Sequence, residues 1–256
     1  GEGFEQNLSS TDGVAIDPIS VPCPERANAD LIMNVWDFGG QQIYHTTHQF
    51  FMTRRSLYLL VWNAGVDVEQ GRLDHWMKKI RLLAPDSPVL LVATHIDQRS
   101  ADINMGRFRA DYPQIVGLMQ ISNKTEAGIE DLRCRIAAEA LKLPLMEQKW
   151  PRAWVDVEEA LTKKDKTHID SAEFAATCSA CGVDDDAEQH ILGGYLHDLG
   201  KILYFQDDDI LSDFIVLKPN WLTTAMARVL DDPVTRDDHH GVLDHRDFGR
   251  IWKGYP

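Results

Sequence analysis

Between residues 31 and 143, short and almost wholly apolar runs alternate with stretches whose apolar residues recur at helical spacing, and few folds accept that rhythm. "LIMNVW" (31–36) reads as a buried strand, and "SLYLLVW" (56–62) as a second after a polar loop. "PVLLVAT" (88–94) and "VGLMQIS" (116–122) read as a third and a fourth. Leu73, Trp76, Ile80 and Leu83 form an apolar stripe on a helix between the second and third runs. A closing helix carries Ile129, Leu132, Ile136, Ala140 and Leu143 on one face. A strand that is apolar at nearly every position is buried on both sides. The expectation is therefore an α/β domain with a parallel sheet covered on both faces.

The rhythm changes at "KLPLMEQKWP" (142–151), which reads as a linker, so a first domain is expected over 1–143 and a second over 144–256. Beyond the linker come a helix through Trp154, Val157 and Leu161, another through Phe174, and a third over "AEQHILGGYLHDLG" with Gly200 at its C-cap. "KILYF" and "DFIVL" read as a hairpin, and "KPNWLTTAMARVL" (218–230) as one more helix. Helices followed by a hairpin describe a small α+β, winged-helix-like module. The second region carries 12 Lys/Arg against 22 Asp/Glu, and the first 14 against 18. Acidic surfaces repel phosphate backbones, so nucleic acid is not an expected partner and the second module is read as a protein-contact surface.

No apolar run approaches the ~20 residues needed to cross a bilayer. The first residues are polar and position 1 is Gly, so the expectation is a fragment or a chain with its start removed. Four cysteines in 256 residues make no disulfide framework, which fits a reducing, cytoplasmic compartment. Cys178 and Cys181 have redox or zinc spacing without a second ligand pair, and in "AEFAATCSACG" they read as buried helix cysteines.

Ligands of open parallel sheets bind at the carboxyl ends of strands, so the residues just after each strand are the informative ones. They are Asp37-Phe38-Gly39-Gly40, then Thr94-His95-Ile96-Asp97, then Ser122-Asn123-Lys124, with Ser10-Thr11-Asp12-Gly13 upstream. In that order they look like the later motifs of a Ras-like GTPase. Each residue type suits its place. Asp37 would hold a magnesium water, and Gly40, completing D-x-x-G, would offer its N–H to the γ-phosphate. Thr11 in T-x-G would give its hydroxyl to Mg²⁺, a hard ion that prefers oxygen. Asp97 would accept both N–H donors on one edge of guanine, and the backbone N–H groups of Ser122 and Asn123 would reach the guanine O6.

The run "NVWDFGGQQIYHTTHQFFMTRRSLYLLVW" followed by "THID" resembles the Roc (Ras of complex proteins) domain of the Roco family, which includes the leucine-rich-repeat kinases and prokaryotic Roco proteins. "LGKILYFQDDDILSDFIVLKPNWLT" is similar to the first part of the COR domain that follows Roc. The resemblance implies a Ras-like P-loop GTPase fold joined to the N-terminal part of COR. It implies a switch that binds GTP and GDP with Mg²⁺ and slowly hydrolyses GTP, and homodimerisation through COR in the full-length protein. Gln41 stands where small GTPases place the water-orienting glutamine; a nucleotide-insensitive scaffold for protein contacts is the competing class. Two departures stand out. No G-x-x-x-x-G-K-[ST] occurs, so the family's first strand, phosphate loop and first helix would lie before residue 1. Thr94-His95 replaces the usual Asn-Lys beside Asp97.

Rival sites are weaker. His45 and His48 have helical metal spacing but no nearby third ligand, and read as switch residues packing on the second module with the rest of 37–55. His197-Asp198 imitates the metal pair of HD-type phosphohydrolases, yet an apparent strand follows at once; an exposed helix end is the expected reading. His239, His240 and His245 stand among acids and could take up metal adventitiously. Asp207 to Asp209 read as a solvated hairpin turn, and Trp221, Met226 and Val229 as core or docking surface.

Overall fold

The computed structural model describes residues 14–22, 30–39, 51–65, 70–144, 146 and 149–255. The chain divides into two compact units. Most of the first is Phe51–Gln148, joined by Ile19–Met33; the second contains Lys149–Pro256 together with Ser10–Pro18 and Asn34–Phe50.

The first unit is built on three parallel strands, β3 (Tyr58–Asn63), β4 (Val89–Thr94) and β5 (Ile115–Gln120), in the order β3-β4-β5. β4 is central and pairs in register with β3 from Tyr58↔Val89 to Asn63↔Thr94. Val89 to Ala93 are all buried, as the unbroken apolar run requires. Side chains alternate across the sheet. Val89 and Leu91 face a core made by Leu73, Met77, Ile80 and Ala84 of α1 (Gln70–Leu83, with Ala84 just beyond) and by Phe108 of α2 (Met105–Asp111). Leu90 and Val92 face the other way, where Ile129, Leu132 and Ile136 of α3 (Ile129–Ala140) cover them. Each such fully buried side chain contributes roughly 1.5–3 kcal/mol.

The stripe of α1 differs from the expected one. Met77 is fully buried while Trp76 is half-exposed and Leu82 stands 81% exposed. The spacing i, i+4, i+7, i+11 from Leu73 follows the helix better than i, i+3, and unbranched Met fills the sheet-facing gap. α2 leaves little trace in the apolar pattern because only one of its seven residues, Phe108, is buried. Its signal is Asn104, whose side chain caps the N–H of Arg107.

β1 (Val14–Pro22) and β2 (Asp30–Phe38) pair as a separate two-stranded sheet. Val21 and Leu31 pack with Ala137 and Ala140. The C-terminal half of β2 alternates, with Asn34, Trp36 and Phe38 half-buried and Val35 and Asp37 exposed.

The second unit packs α4 (Arg152–Thr162), α5 (Ser171–Ala180) and α6 (Asp186–Asp198) against one side of a small antiparallel sheet. Val157, Leu161, Phe174, Cys178, Leu192, Leu196 and Ile215 are its centre. Asp170 and Asp185 cap α5 and α6 by accepting the N–H groups of Glu173 and Glu188. The expected hairpin is β7 (Leu203–Tyr204) with β8 (Ile215–Val216), and a third strand, β6 (His168–Ile169), pairs β8 on its other side. Two residues between helices were too short a signal for β6. α7 (Pro219–Asp231) follows, with Pro at its start, and then α8 (Phe248–Ile251). There Arg250 clamps Asp232, one bond measuring 2.8 Å, and also reaches Asp247.

Candidate functional site

At the carboxyl end of β4 the chain turns sharply. Thr94 ends the strand, and its carbonyl accepts the N–H of Ala64. Its hydroxyl donates to the Trp62 carbonyl at 3.0 Å and lies 2.9 Å from His95 Nδ1. A hydroxyl has one proton, which is committed to Trp62, so Nδ1 must carry the proton of the second bond. His95 itself is left-handed, with φ of 61°, an uncommon backbone state for a residue with a side chain. The N–H groups of Gln98 and Arg99 close the turn onto the His95 carbonyl.

The turn delivers Asp97 to the end of β5. Ser122, wholly buried, donates its hydroxyl to Asp97 Oδ1 at 2.6 Å and accepts the Thr125 N–H at 3.3 Å. The Asp97 carboxyl is held below its ordinary value, first by the Ser122 hydroxyl and further by its own backbone N–H, Lys124 and His95, against a smaller desolvation effect. It is therefore ionised at neutral pH, exposed, and oriented through one oxygen. The loop behind it is closed by the Ser122 N–H donating to the Ala127 carbonyl at 3.0 Å. Gly128, at φ 74°, permits this closure because a Cβ there would stand 2.5 Å from the Gln120 carbonyl oxygen.

Thr94, His95, Asp97, Ser122 and Asn123 are thus brought together, as expected for residues following adjacent strands. Ser122 takes a different part from the one read in the sequence. Its N–H is used by Ala127, and its contribution is the hydroxyl that aims Asp97. Of the two backbone donors expected near the base, the Asn123 N–H is the one without a hydrogen bond among the described residues. The Trp62 carbonyl, which anchors Thr94, was missed; nothing in the sequence singles out a backbone carbonyl.

Asp37 stands one residue before the end of β2, exposed, and belongs to the second unit. Thr11, Gly40, Gln41, His45 and His48 lie outside the described residues, as do 40–50 of the segment expected to pack on the second module.

The rival sites resolve into structural roles. His197 is a half-buried group whose Nδ1 accepts the Tyr204 N–H at 3.2 Å, and burial pushes its pKa down. The end of α6 is therefore less exposed than expected, with Gly200 buried at φ 66°. Cys178 is buried in α5 and its thiol is pushed up to about 11 by that burial, whereas Cys181 is half-buried just past the helix end. His239 lies 3.5 Å from Asp247. Among the described residues no group of three or more His, Cys, Asp or Glu side chains is placed to hold a metal. Nor, among them, is any helix long and apolar enough to cross a membrane.

Two family models match the chain: Roc, "Ras of Complex, Roc, domain of DAPkinase", over residues 1–97, and COR-A, "C-terminal of Roc, COR-A domain", over 151–256. A solved structure of Roco2 RocCORdC from Methanosarcina barkeri, bound to GDP, superposes with a TM-score of 0.84 at 34% identity, covering 97% of this chain and 75% of that one. The chain belongs to the Roco family. It carries a Ras-like Roc domain followed by COR sequence, and the three-stranded parallel sheet is part of that Roc fold. Among Roco relatives, the probable serine/threonine-protein kinase pats1 of Dictyostelium discoideum is 29% identical over 270 residues, which is 95% of this chain and 8% of that protein. A Roc-COR-CHAT protease of Runella zeae is 27% identical over 242 residues, 90% of this chain and 26% of that protein. The chain thus spans less than a tenth of the kinase and about a quarter of the protease.

Proposed function

We propose that this chain is the guanine-nucleotide switch of a larger Roco protein, binding GTP and GDP and slowly hydrolysing GTP. The observation that carries the reading is the Asp97 carboxylate, ionised and aimed by the buried Ser122 hydroxyl, beside the Asn123 N–H at the carboxyl ends of β4 and β5. A carboxylate accepts both N–H groups on one edge of guanine, and adenine offers no such pair there. GDP in the M. barkeri relative supports the same ligand class here.

The phosphate side would be read by Asp37, Thr11 and Gly40. Asp37 and Thr11 offer hard oxygens, which suits Mg²⁺, and Asp37 stands exposed near the end of its strand. When bound, Mg²⁺ would neutralise charge between the phosphates. Gln41 would orient the attacking water, since catalysis in this class is positioning and electrostatics. The phosphate loop would come from the intact protein, as none stands in this sequence. We place the Roc–COR boundary at 143/144, and propose a cytoplasmic protein that homodimerises through COR. The alternative is a scaffold for protein contacts that is indifferent to nucleotide.

The test is Asp97→Ala in the full-length protein, with GDP and ADP affinities measured side by side. Two hydrogen bonds to a charged acceptor make the expected loss of GDP affinity roughly 100-fold, with no preference left over ADP. Unchanged selectivity would sink the assignment, and a wild-type protein that binds neither nucleotide would establish the scaffold.

A further inference from the structure

β2 presents Asp37 outward because its neighbours on the other face are gripped, and the grip is a single turn of backbone. Asn34 and Trp36 sit two residues apart, so they share a face of the strand. The Asn34 amide donates to the Leu199 carbonyl at 2.6 Å. The Trp36 indole packs against Gly200, so closely that a Cβ there would stand 2.5 Å from Nε1 and 2.8 Å from Cζ2. Gly200 is left-handed at φ 66° and its N–H is held by the His197 carbonyl, while Lys201 bonds back to Leu196. That turn is anchored in turn by α6, whose Leu192 and Leu196 are fully buried. β1 has a matching tie, since the Asn220 amide donates to the Ile16 carbonyl at 3.3 Å. All these residues belong to the second compact unit.

We propose that the Leu199–Gly200 turn is a positioning seat for Asp37: COR residues set the height and angle of the strand end that carries the metal-reading acid. The inference rests on the reading of Asp37 as the Mg²⁺ acid. Gly200 and Asn34 are positioning residues that touch neither nucleotide nor metal. Glycine is required at 200 by two independent demands, the left-handed backbone and the indole lying where a side chain would begin.

The experiment uses the full-length protein. GTP affinity is titrated against Mg²⁺, and GDP affinity is measured in EDTA, for wild type, Gly200→Ala, Asn34→Ala and the double variant Gly200→Ala with Trp36→Leu. Disturbing the support of a metal ligand should raise the Mg²⁺ concentration for half-maximal GTP binding about tenfold in Gly200→Ala. GDP affinity in EDTA, which does not use Asp37, should stay at the wild-type value. Trp36→Leu should recover part of the Mg²⁺ response by vacating the space the new Cβ needs. Asn34→Ala, which adds no atom and serves where Gly200→Ala fails to fold, should shift the Mg²⁺ response the same way by less. A wild-type Mg²⁺ response in folded Gly200→Ala or in Asn34→Ala would overturn the seat, as would an equal loss of GDP affinity in EDTA. Wild-type protein that binds no guanine nucleotide would instead overturn the functional reading itself.

Discussion

The two groups of residues proposed to read nucleotide, one in each unit, are held by opposite strategies. The base corner is local: Thr94, His95, Asp97 and Ser122 follow two adjacent parallel strands, and every hydrogen bond that shapes it comes from within the same unit. Beneath it, Val89 to Ala93 of β4 are all buried. Asp37 sits instead at the end of a two-stranded sheet whose exposed residues include Ile32 and Val35, and its strand is anchored by Asn34 and Trp36 on the α6 turn. A corner built on a closed core is rigid by default. A strand end held at a few points moves when those points move, which is what a nucleotide-sensing segment needs.

This contrast can be broken from either side. The largest effect belongs to the core under the base corner. Leu91→Ala should destabilise the protein by about 3 kcal/mol and weaken GDP binding in EDTA with it. Leu192→Ala, an equally buried position under α6, should cost a similar about 3 kcal/mol while leaving EDTA-measured GDP affinity intact wherever the protein is still folded. Denaturant unfolding followed beside GDP binding checks both. Equal damage to base binding from both variants would abolish the distinction.

A smaller effect sharpens the account of Asp97. Ser122→Ala removes the donor that aims the carboxylate and should weaken GDP binding about tenfold. The sign of its pH dependence follows from the direction of the shift. The Ser122 hydroxyl keeps Asp97 ionised to lower pH, so its benefit is full above the ordinary carboxylate value, about 4, and is lost as pH falls through the lowered value. The acid limb of GDP affinity should therefore move to higher pH in the variant. Overlapping wild-type and Ser122→Ala profiles would show that the hydroxyl does not control the carboxylate.

The smallest expected effect tests how closed the second unit is. Its buried Cys178, with a thiol pushed up to about 11, should resist iodoacetamide at pH 8, whereas exposed Cys134 reacts, as peptide mass spectrometry would resolve. Labelling of Cys178 at the rate of Cys134 would mean that the core around Val157 and Leu196 opens.

Much of the base corner was legible in advance because it depends on residue type and order. Apolar runs set β3, β4 and β5, parallel pairing puts their carboxyl ends side by side, and the residues after them become neighbours with no further information. The helices α4 to α7 of the second unit followed from apolar spacing in the same way, whereas the four-residue α8 did not. What stayed hidden were features with little local signal: the one-residue-wide contact of α2, the two-residue strand β6, and the phase of α1 that buries Met77 rather than Trp76.

By itself, then, the sequence determined which chemistry is present, since an acid after a strand end and its neighbouring donors are written in the residues. Only the tertiary structure decided how those groups are used. It committed the Ser122 N–H to Ala127 and its hydroxyl to Asp97, and it set the Trp36 indole on Gly200, 164 positions further along the chain. The reason is physical: strand and helix propensities act over a few residues, whereas the direction of a hydrogen bond or the seat of a ring depends on which distant backbone arrives beside it.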